Sequence, residues 1–334
     1  MHTLITGGSG FIGSHLIERL LAAGDRITVI DDLSTGRCEN IEPYLKDDRC
    51  KLIVSTVRDK GLVDRLVEDC DRVFHLAAAV GVKLIVEQPV HTIETNIHGT
   101  EVVLAAAAKY RKKMLITSTS EVYGKSTKIP FREDDDVVYG NTTLGRWSYA
   151  VSKAVDEFLA LAYHQKMGLP VVIVRLFNTV GPRQTGMYGM VVPRFVEAAL
   201  RGRPLRIFGD GQQTRCFGDV SDVVGALVKV MEEPKAIGQV FNVGANTPVS
   251  ILQLAKRAIE LTGSSSTIEY IPYEEAYAPG FDDMRVREPS LEKIGACIGY
   301  KPTVNLDQIL TRIIDWMKPT LHLGTPGRQM AAVG

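Results

Sequence analysis

The sequence predicts a doubly wound α/β protein, a parallel sheet with helices on both faces, with a smaller lobe added after its midpoint. Three observations predict it. Short runs rich in β-branched residues alternate with longer helical patterns through the first half. Those runs are apolar almost throughout, as strands covered on both faces must be. A glycine-rich turn follows the first of them directly. The 334 residues exceed one ordinary domain. With 45% hydrophobic and 23% charged residues the composition is that of a soluble globular protein, which excludes disordered, collagen-like and coiled-coil chains. Lys+Arg and Asp+Glu are 39 each, so no global field invites nucleic acid or anionic lipid. No apolar run reaches the length of a membrane span, and the strand-turn pattern beginning at Leu4 does not read as a signal peptide. The scattered cysteines (Cys38, Cys50, Cys70, Cys216, Cys297) form no CxxC pair and no metal spacing, so reduced thiols and a cytoplasmic location are expected.

The elements follow in order. Residues 3–6 read as the first strand and 11–23 as a helix, with Gly24 just past its end. The next strand is 27–30. Strands at 52–54, 72–76, 113–116 and 171–174 follow at crossover distances, separated by helices near 60–69, 89–110 and 149–167. After residue 178 Gly and Pro become frequent. Helices are expected at 193–201, 219–231, 251–261 and 303–317, and a strand at 240–243. This divides the chain into a first domain over 1–178, to which it returns at about 217–243, and a smaller lobe over 179–216 and 244–318. The tail over 319–334 has little core-forming content.

Gly7, Gly10 and Gly13 form a G-x-x-G-x-x-G turn between the first strand and the first helix. Glycines let backbone approach a pyrophosphate, and the helix N-terminus supplies N–H groups and a positive dipole. The second strand ends in Asp31, 18 residues after Gly13. An acid there accepts hydrogen bonds from an adenosine ribose and repels a 2′-phosphate, and Asp32 adds to the repulsion. NAD is therefore favoured over NADP, although Arg37 follows nearby.

Ser118 to Gly124 (STSEVYG) follows the strand at 113–116, at the carboxyl edge where doubly wound sheets bind ligands. Tyr149 and Lys153, at i and i+4, share one helix face. A lysine cation beside a phenol lowers its pKa, and a bound nicotinamide cation lowers it further. That suits Tyr149 to take a hydroxyl proton while hydride leaves the same carbon. His75, on a buried strand, reads as a satisfied core histidine. Asp134, Asp135 and Asp136 read as a solvated loop, since nothing flanks them with metal-ligand spacing.

Taken together, TGGSGFIG at 6–13, Asp31, STSEVYG at 118–124 and YAVSK at 149–153 resemble the extended short-chain dehydrogenase/reductase family of NAD-dependent epimerases and dehydratases, over roughly residues 1–317. The resemblance implies a Rossmann domain holding NAD and a C-terminal lobe binding a sugar nucleotide. It also implies a homodimer formed through the helices near 89–110 and 149–167. It extends the cofactor contacts to Phe11, Ile12, Ser34, Thr35, Gly36, Leu76, Ala77 and Ala78, with Tyr149 and Lys153 also against the cofactor. Lys83, Asn178, Arg183 and Val192 are implied on the substrate, Asn178 and Arg183 in a segment that meets its diphosphate.

Members of this family first oxidise a sugar hydroxyl to a ketone. Where 4,6-dehydratases carry an Asp-Glu pair, this chain has Ser120-Glu121 after Thr119, which resembles the UDP-glucuronate decarboxylases. Arg146-Trp147-Ser148-Tyr149, the segment Gln213–Phe217 around Arg215, and Arg287-Glu288-Pro289-Ser290 followed by Gly299-Tyr300-Lys301-Pro302 resemble the same subgroup. The implied reaction oxidises C4 of UDP-glucuronate to a β-keto acid. Loss of CO₂ leaves an enolate held by Thr119 and Tyr149. Arg215 and Glu121, with Ser120 beside them, are the groups implied in protonating C5, and Arg287 also meets substrate. Re-reduction gives UDP-xylose, and early release gives UDP-4-keto-xylose. Each group also has a plainer role: Ser120 as a turn cap, Glu121 as a structural carboxylate, Arg215 as a phosphate clamp. A UDP-sugar or UDP-uronate 4-epimerase is the alternative, separated by CO₂ release. A non-catalytic NAD-binding regulator is a third reading, which the presence of both Tyr149 and Lys153 disfavours.

Overall fold

The computed structural model describes residues 1–81, 88–187, 190–272, 275 and 284–322. The first half runs β1 (His2–Thr6), α1 (Phe11–Ala22), β2 (Arg26–Asp31), β3 (Cys50–Val54), α2 (Lys60–Asp69) and β4 (Arg72–His75). It continues with α3 (Pro89–Lys109), β5 (Lys113–Thr119), α4 (Ser148–Met167) and β6 (Val171–Leu176). Then come β7 (Thr179–Val180), α5 (Val191–Leu200), β8 (Leu205–Phe208), β9 (Thr214–Cys216), β10 (Gly218–Asp219) and α6 (Val220–Glu232). The chain closes with β11 (Val240–Val243), β12 (Pro248–Ser250), α7 (Ile251–Thr262), β13 (Ile268–Ile271), β14 (Val286–Arg287), α8 (Glu292–Ile298) and α9 (Leu306–His322).

Seven strands form one sheet in the order β11-β6-β5-β4-β1-β2-β3, every pair parallel. Their residues alternate between two cores. On one face Leu16, Ile17 and Leu20 of α1 meet Val223, Val224 and Leu227 of α6. On the other, Val63 and Val67 of α2 join Val103 and Leu104 of α3 and Ala160 of α4. The strand order reverses between β4 and β1, so the chains leaving their carboxyl ends diverge and open a crevice there. A third core gathers Val192, Phe195 and Val196 of α5, Leu254, Ala255 and Ala258 of α7, and Ile309, Leu310 and Ile313 of α9. No helix among the described residues is long and apolar enough to cross a membrane.

Beyond small shifts at element ends and the short strands and short helix that the second half adds, the structure departs from expectation in four places. The first is β5, which runs on to Thr119 because Thr117, Ser118 and Thr119 pair with Val174, Arg175 and Leu176. The second is the start of α9 at residue 306, not 303, because Asn305 and Gln308 cap each other while Asp222 takes the amides of Thr303 and Val304. Third, α9 continues through Pro319 to His322, into the expected tail. Fourth, residues 292–300 lie against the main sheet rather than the second lobe. Ile294 and Tyr300 enter the α1–α6 core, and the Tyr300 hydroxyl donates to Gly244 O at 2.8 Å.

Candidate active site

The glycine turn rests on the chain leaving β4. Gly7 has φ +71°, and a Cβ there would lie 2.7 Å from Ala77 N. At Gly13 a Cβ would stand 2.4 Å from Gly7 O. The first turn of α1 carries no side-chain cap, which leaves its amides for an anionic group. Asp31 closes β2 beside it, its carboxylate taking the amides of Ser9 and Leu33, each at 2.9 Å. Burial raises the Asp31 pKa, those two hydrogen bonds oppose the rise, and Asp32 adds to it. Each Asp31 oxygen accepts one amide and retains a further lone pair.

The crevice continues past β5. Thr119 accepts the Glu121 amide at 3.2 Å, which turns the chain so that Ser120 and Glu121 face inward, both buried. Three arginines converge on Glu121. Arg146 comes from the turn before α4 and stands 2.5 Å from Glu121 Oε2. Arg287 bonds Oε1. Arg215 sits opposite Arg287 in the β9–β14 pairing. Burial alone would raise the Glu121 pKa, but Arg287, Arg146 and Arg215 outweigh it and hold the group ionised. Tyr149 and Lys153 approach from α4, both buried. The Tyr149 phenol lies above its ordinary pKa: burial is the largest cause, Glu121 adds to it, and the Thr119 hydroxyl opposes it. The expected lowering by Lys153 is outweighed among the chain's own groups, since Lys153 Nζ is paired with Asp156 at 2.7 Å.

One cavity of about 490 Å³ joins these parts, from Gly7, Asp31 and Gly36 through Thr119, Glu121 and Tyr149 to Asn178, Val192 and Arg287. Gly10, Phe11, Ile12, Gly13, Asp32, Ser34 and Thr35 line its first part, and Leu76, Ala77, Ala78, Ser120, Lys153 and Arg215 the rest. Arg183 is not brought to it. That residue has φ +68°, and its side chain ion-pairs with Glu18 over the Tyr44 ring. Lys83 lies outside the described residues. Arg194 and Arg206 also line the cavity, although the sequence reading gave them no role. The alternating pattern Leu205-Arg206-Ile207-Phe208 was the signal for Arg206, with Leu205 and Ile207 buried and Arg206 exposed. Arg146 was visible within a motif, but its partner was not. His75 is satisfied in the core, between Thr6 Oγ1 at 2.8 Å and Thr100 Oγ1 at 3.0 Å.

A family model described as GDP-mannose 4,6 dehydratase matches residues 4–313. The UDP-N-acetyl-alpha-D-glucosaminuronate decarboxylase of Bacillus cytotoxicus is 44% identical over 316 residues, 94% of this chain and 97% of that protein. UDP-glucuronic acid decarboxylase 1 of Arabidopsis thaliana is 36% identical over 94% of this chain and 69% of its own length. Among solved structures, the UDP-glucuronic acid 4-epimerase from Bacillus cereus, in complex with UDP-glucuronic acid and NAD, is similar with a TM-score of 0.85 and 31% identity. That match covers 96% of this chain and 100% of that one.

Proposed function

The chain belongs to the GDP-mannose 4,6 dehydratase family of extended short-chain dehydrogenases/reductases, and from that premise we propose that it decarboxylates a UDP-linked hexuronic acid through a C4 ketone. The observation that carries the reading is the cluster of buried Glu121, Arg146 and Arg215 with half-buried Arg287, beside Tyr149. Among the described residues three guanidiniums converge on this carboxylate, and guanidinium forks suit a substrate bearing a carboxylate and a diphosphate.

The family's cofactor is NAD, and the residues present fit it. The turn at Gly7 and Gly13 has no room for a side chain, and Asp31 retains acceptor sites for a ribose. When bound, NAD supplies the acceptor and later the donor of the C4 hydride. The chain's own residues do the rest. Tyr149 takes the C4 hydroxyl proton, and Thr119 stands beside it to hold the C4 oxygen. When the C5–C6 bond breaks, its electron pair passes to that oxygen as an enolate, which Tyr149 and Thr119 stabilise by donating hydrogen bonds. Glu121 is ionised, so it orients a water toward C5 rather than acting as the acid. The enolate's electron pair returns to C5 to take a proton from that water, and solvent supplies the net proton that neutralises the hydroxide, with Arg215 and Arg287 fixing the geometry. Asn178 and Val192 then lie along the path of the nucleotide.

A second copy of the chain belongs to this proposal. Val151, Val155 and Phe158 on α4, and Val90 and Ile93 on α3, form an exposed apolar stripe on neighbouring helices, with Phe158 71% exposed. The test of the activity is incubation of the purified protein with UDP-glucuronate and, separately, its 2-acetamido counterpart, following CO₂ and product mass. Loss of CO₂ from either is the expected result. An unchanged mass with a new C4 epimer would replace the reading by a 4-epimerase, the activity carried by the similar Bacillus cereus structure.

A further inference from the structure

We propose that Glu157 on α4, locked by Arg175 of β6, is a positioning residue: it accepts the Ser118 hydroxyl and so fixes where the turn carrying Thr119 and Glu121 stands against Tyr149. Four contacts carry this. Ser118 Oγ donates to Glu157 Oε1 at 2.5 Å. Arg175 forks the same carboxylate, Nε to Oε1 at 3.0 Å and Nη2 to Oε2 at 2.8 Å. The Arg175 guanidinium also lies over the Tyr123 ring, 4.8 Å from its centroid. The Tyr123 hydroxyl in turn donates to Asn242 Oδ1 at 2.6 Å. Ser118, Glu157, Arg175 and Tyr123 are all buried, so water has little access to these contacts.

The register brings these groups together. Ser118 pairs with Arg175 across the parallel β5–β6 ladder. Both share the alternation of Met114, Ile116, Val171 and Ile173, which enter the core that Ala160 of α4 joins. Their side chains therefore leave the sheet on the face that α4 covers. Glu157 follows Tyr149 and Lys153 at intervals of four, so the buried face of α4 carries all three. On β5, Thr119 is the next residue after Ser118, and its hydroxyl takes the Glu121 amide. Tyr123 ends the same turn. Arg175 thus grips the turn at both ends, at Ser118 through Glu157 and at Tyr123 directly.

Packing alone does not ask for this arrangement. Apolar side chains of similar volume serve a buried site as well as an ion pair or better; what the fork and the hydroxyl add is direction. Ser118 lines the cavity, but its hydroxyl is turned to Glu157, which is not among the lining residues. The inference rests on the proposed reading in which Tyr149 takes the C4 hydroxyl proton and Thr119 holds the same oxygen. Those two groups must meet one atom, yet they come from different elements, α4 and β5. The Ser118–Glu157 bond ties those elements directly. A misplacement of about 1 Å at such a pair costs about a hundredfold in rate.

The test compares the full chain with Ser118→Ala, which leaves the Arg175–Glu157 fork in place, and with Glu157→Asp, which withdraws the carboxylate by one methylene. Hydrogen exchange is read first, without substrate. In both variants the amides of residues 118–123 exchange about tenfold or more faster, while those of β1 keep their wild-type rates. Single-turnover NADH absorbance is then followed with UDP-glucuronate or its 2-acetamido counterpart. Both variants reduce NAD about tenfold or more slowly at saturating substrate, with KM changed by less than about twofold. Wild-type exchange at 118–123, or a wild-type rate of NAD reduction, in either folded variant overturns the proposal. A KM that rises as the rate falls puts the hydroxyl on substrate and overturns it too. So does equally faster exchange in β1, which would make the pair a strut of the whole fold. A wild type that reduces no NAD with either substrate fails the decarboxylase reading, and the exchange rates then decide this inference on their own.

Discussion

Glu121 shows how much one buried charge can hold. It accepts from Arg287 and stands 2.5 Å from Arg146, a residue itself buried. Removing the carboxylate charge leaves these guanidiniums without their anion, which in buried pairs costs about 3–5 kcal/mol. Glu121→Gln is expected to melt well below wild type and to lose about a hundredfold or more in CO₂ release, checked by calorimetry and single-turnover assay. Its folded pKa is lowered, so its contribution is present above the ordinary carboxylate range and is lost as pH falls through the folded value. His75 adds a loss that begins at higher pH. Burial pushes it down to about 3, so the unfolded chain binds a proton below about 6.5 that the native one refuses. Stability therefore falls by up to about 1.4 kcal/mol per pH unit below about 6.5. Urea unfolding at pH 7.5, 6.5 and 5.5 measures the slope, and His75→Gln should flatten it by on the order of one proton. If the slopes match, the buried neutral imidazole is not its source. His75 was readable as a core residue because apolar positions flank it in a strand. Arg146 as the partner of Glu121 was not readable, because the pairing exists only once the turn before α4 folds over the end of β5.

At the scale of elements, two glycines in the main domain behave oppositely. A Cβ at Gly13 would stand 2.4 Å from Gly7 O and 2.6 Å from Gly8 Cα, backbone atoms that cannot yield without opening the turn. A Cβ at Gly225, inside α6, meets nothing nearer than the Arg19 guanidinium at 3.8 Å. Gly13→Ala should destabilise by about 3 kcal/mol or more and lose bound NAD. Gly225→Ala should stabilise by about 0.5–1 kcal/mol, since alanine is the better helix former. Melting curves and the nucleotide released on denaturation decide both. The elements themselves were unequally legible. Strands β1 to β6 and helices α1 to α7 and α9 declare themselves by periodicity, because each presents a full face to a core. Strands β9, β12 and β14 are two to three residues long. Their pairings join segments distant in sequence, so no local period marks them. Arg287 reaches Glu121 through one of them. Arg183 pairs with Glu18 and is not among the residues lining the cavity, and its left-handed backbone has no mark in the sequence.

For the whole molecule the question is what covers α3 and α4. Their buried faces are committed: α4 turns Tyr149, Lys153 and Ala160 inward, and α3 turns Thr100, Val103 and Leu104 inward. Their outer faces present Val90, Ile93, Val151, Val155 and Phe158 to solvent. Residues 151, 155 and 158 follow one another at i, i+4 and i+7 and so make a single stripe. In an isologous pair each such residue is counted twice. Burying one Phe contributes about 2 kcal/mol, so the two copies contribute about 4 kcal/mol to association. That is about three decades in the dimer dissociation constant. Phe158→Asp is therefore expected to convert a dimer into a monomer at micromolar concentration, read by sedimentation velocity. Phe158 lies on the face of α4 opposite Tyr149 and Lys153, so the melting temperature of the monomer should stay within a few degrees of wild type. An unchanged sedimentation coefficient for the variant, or a monomeric wild type, would show that this stripe is not the contact between copies.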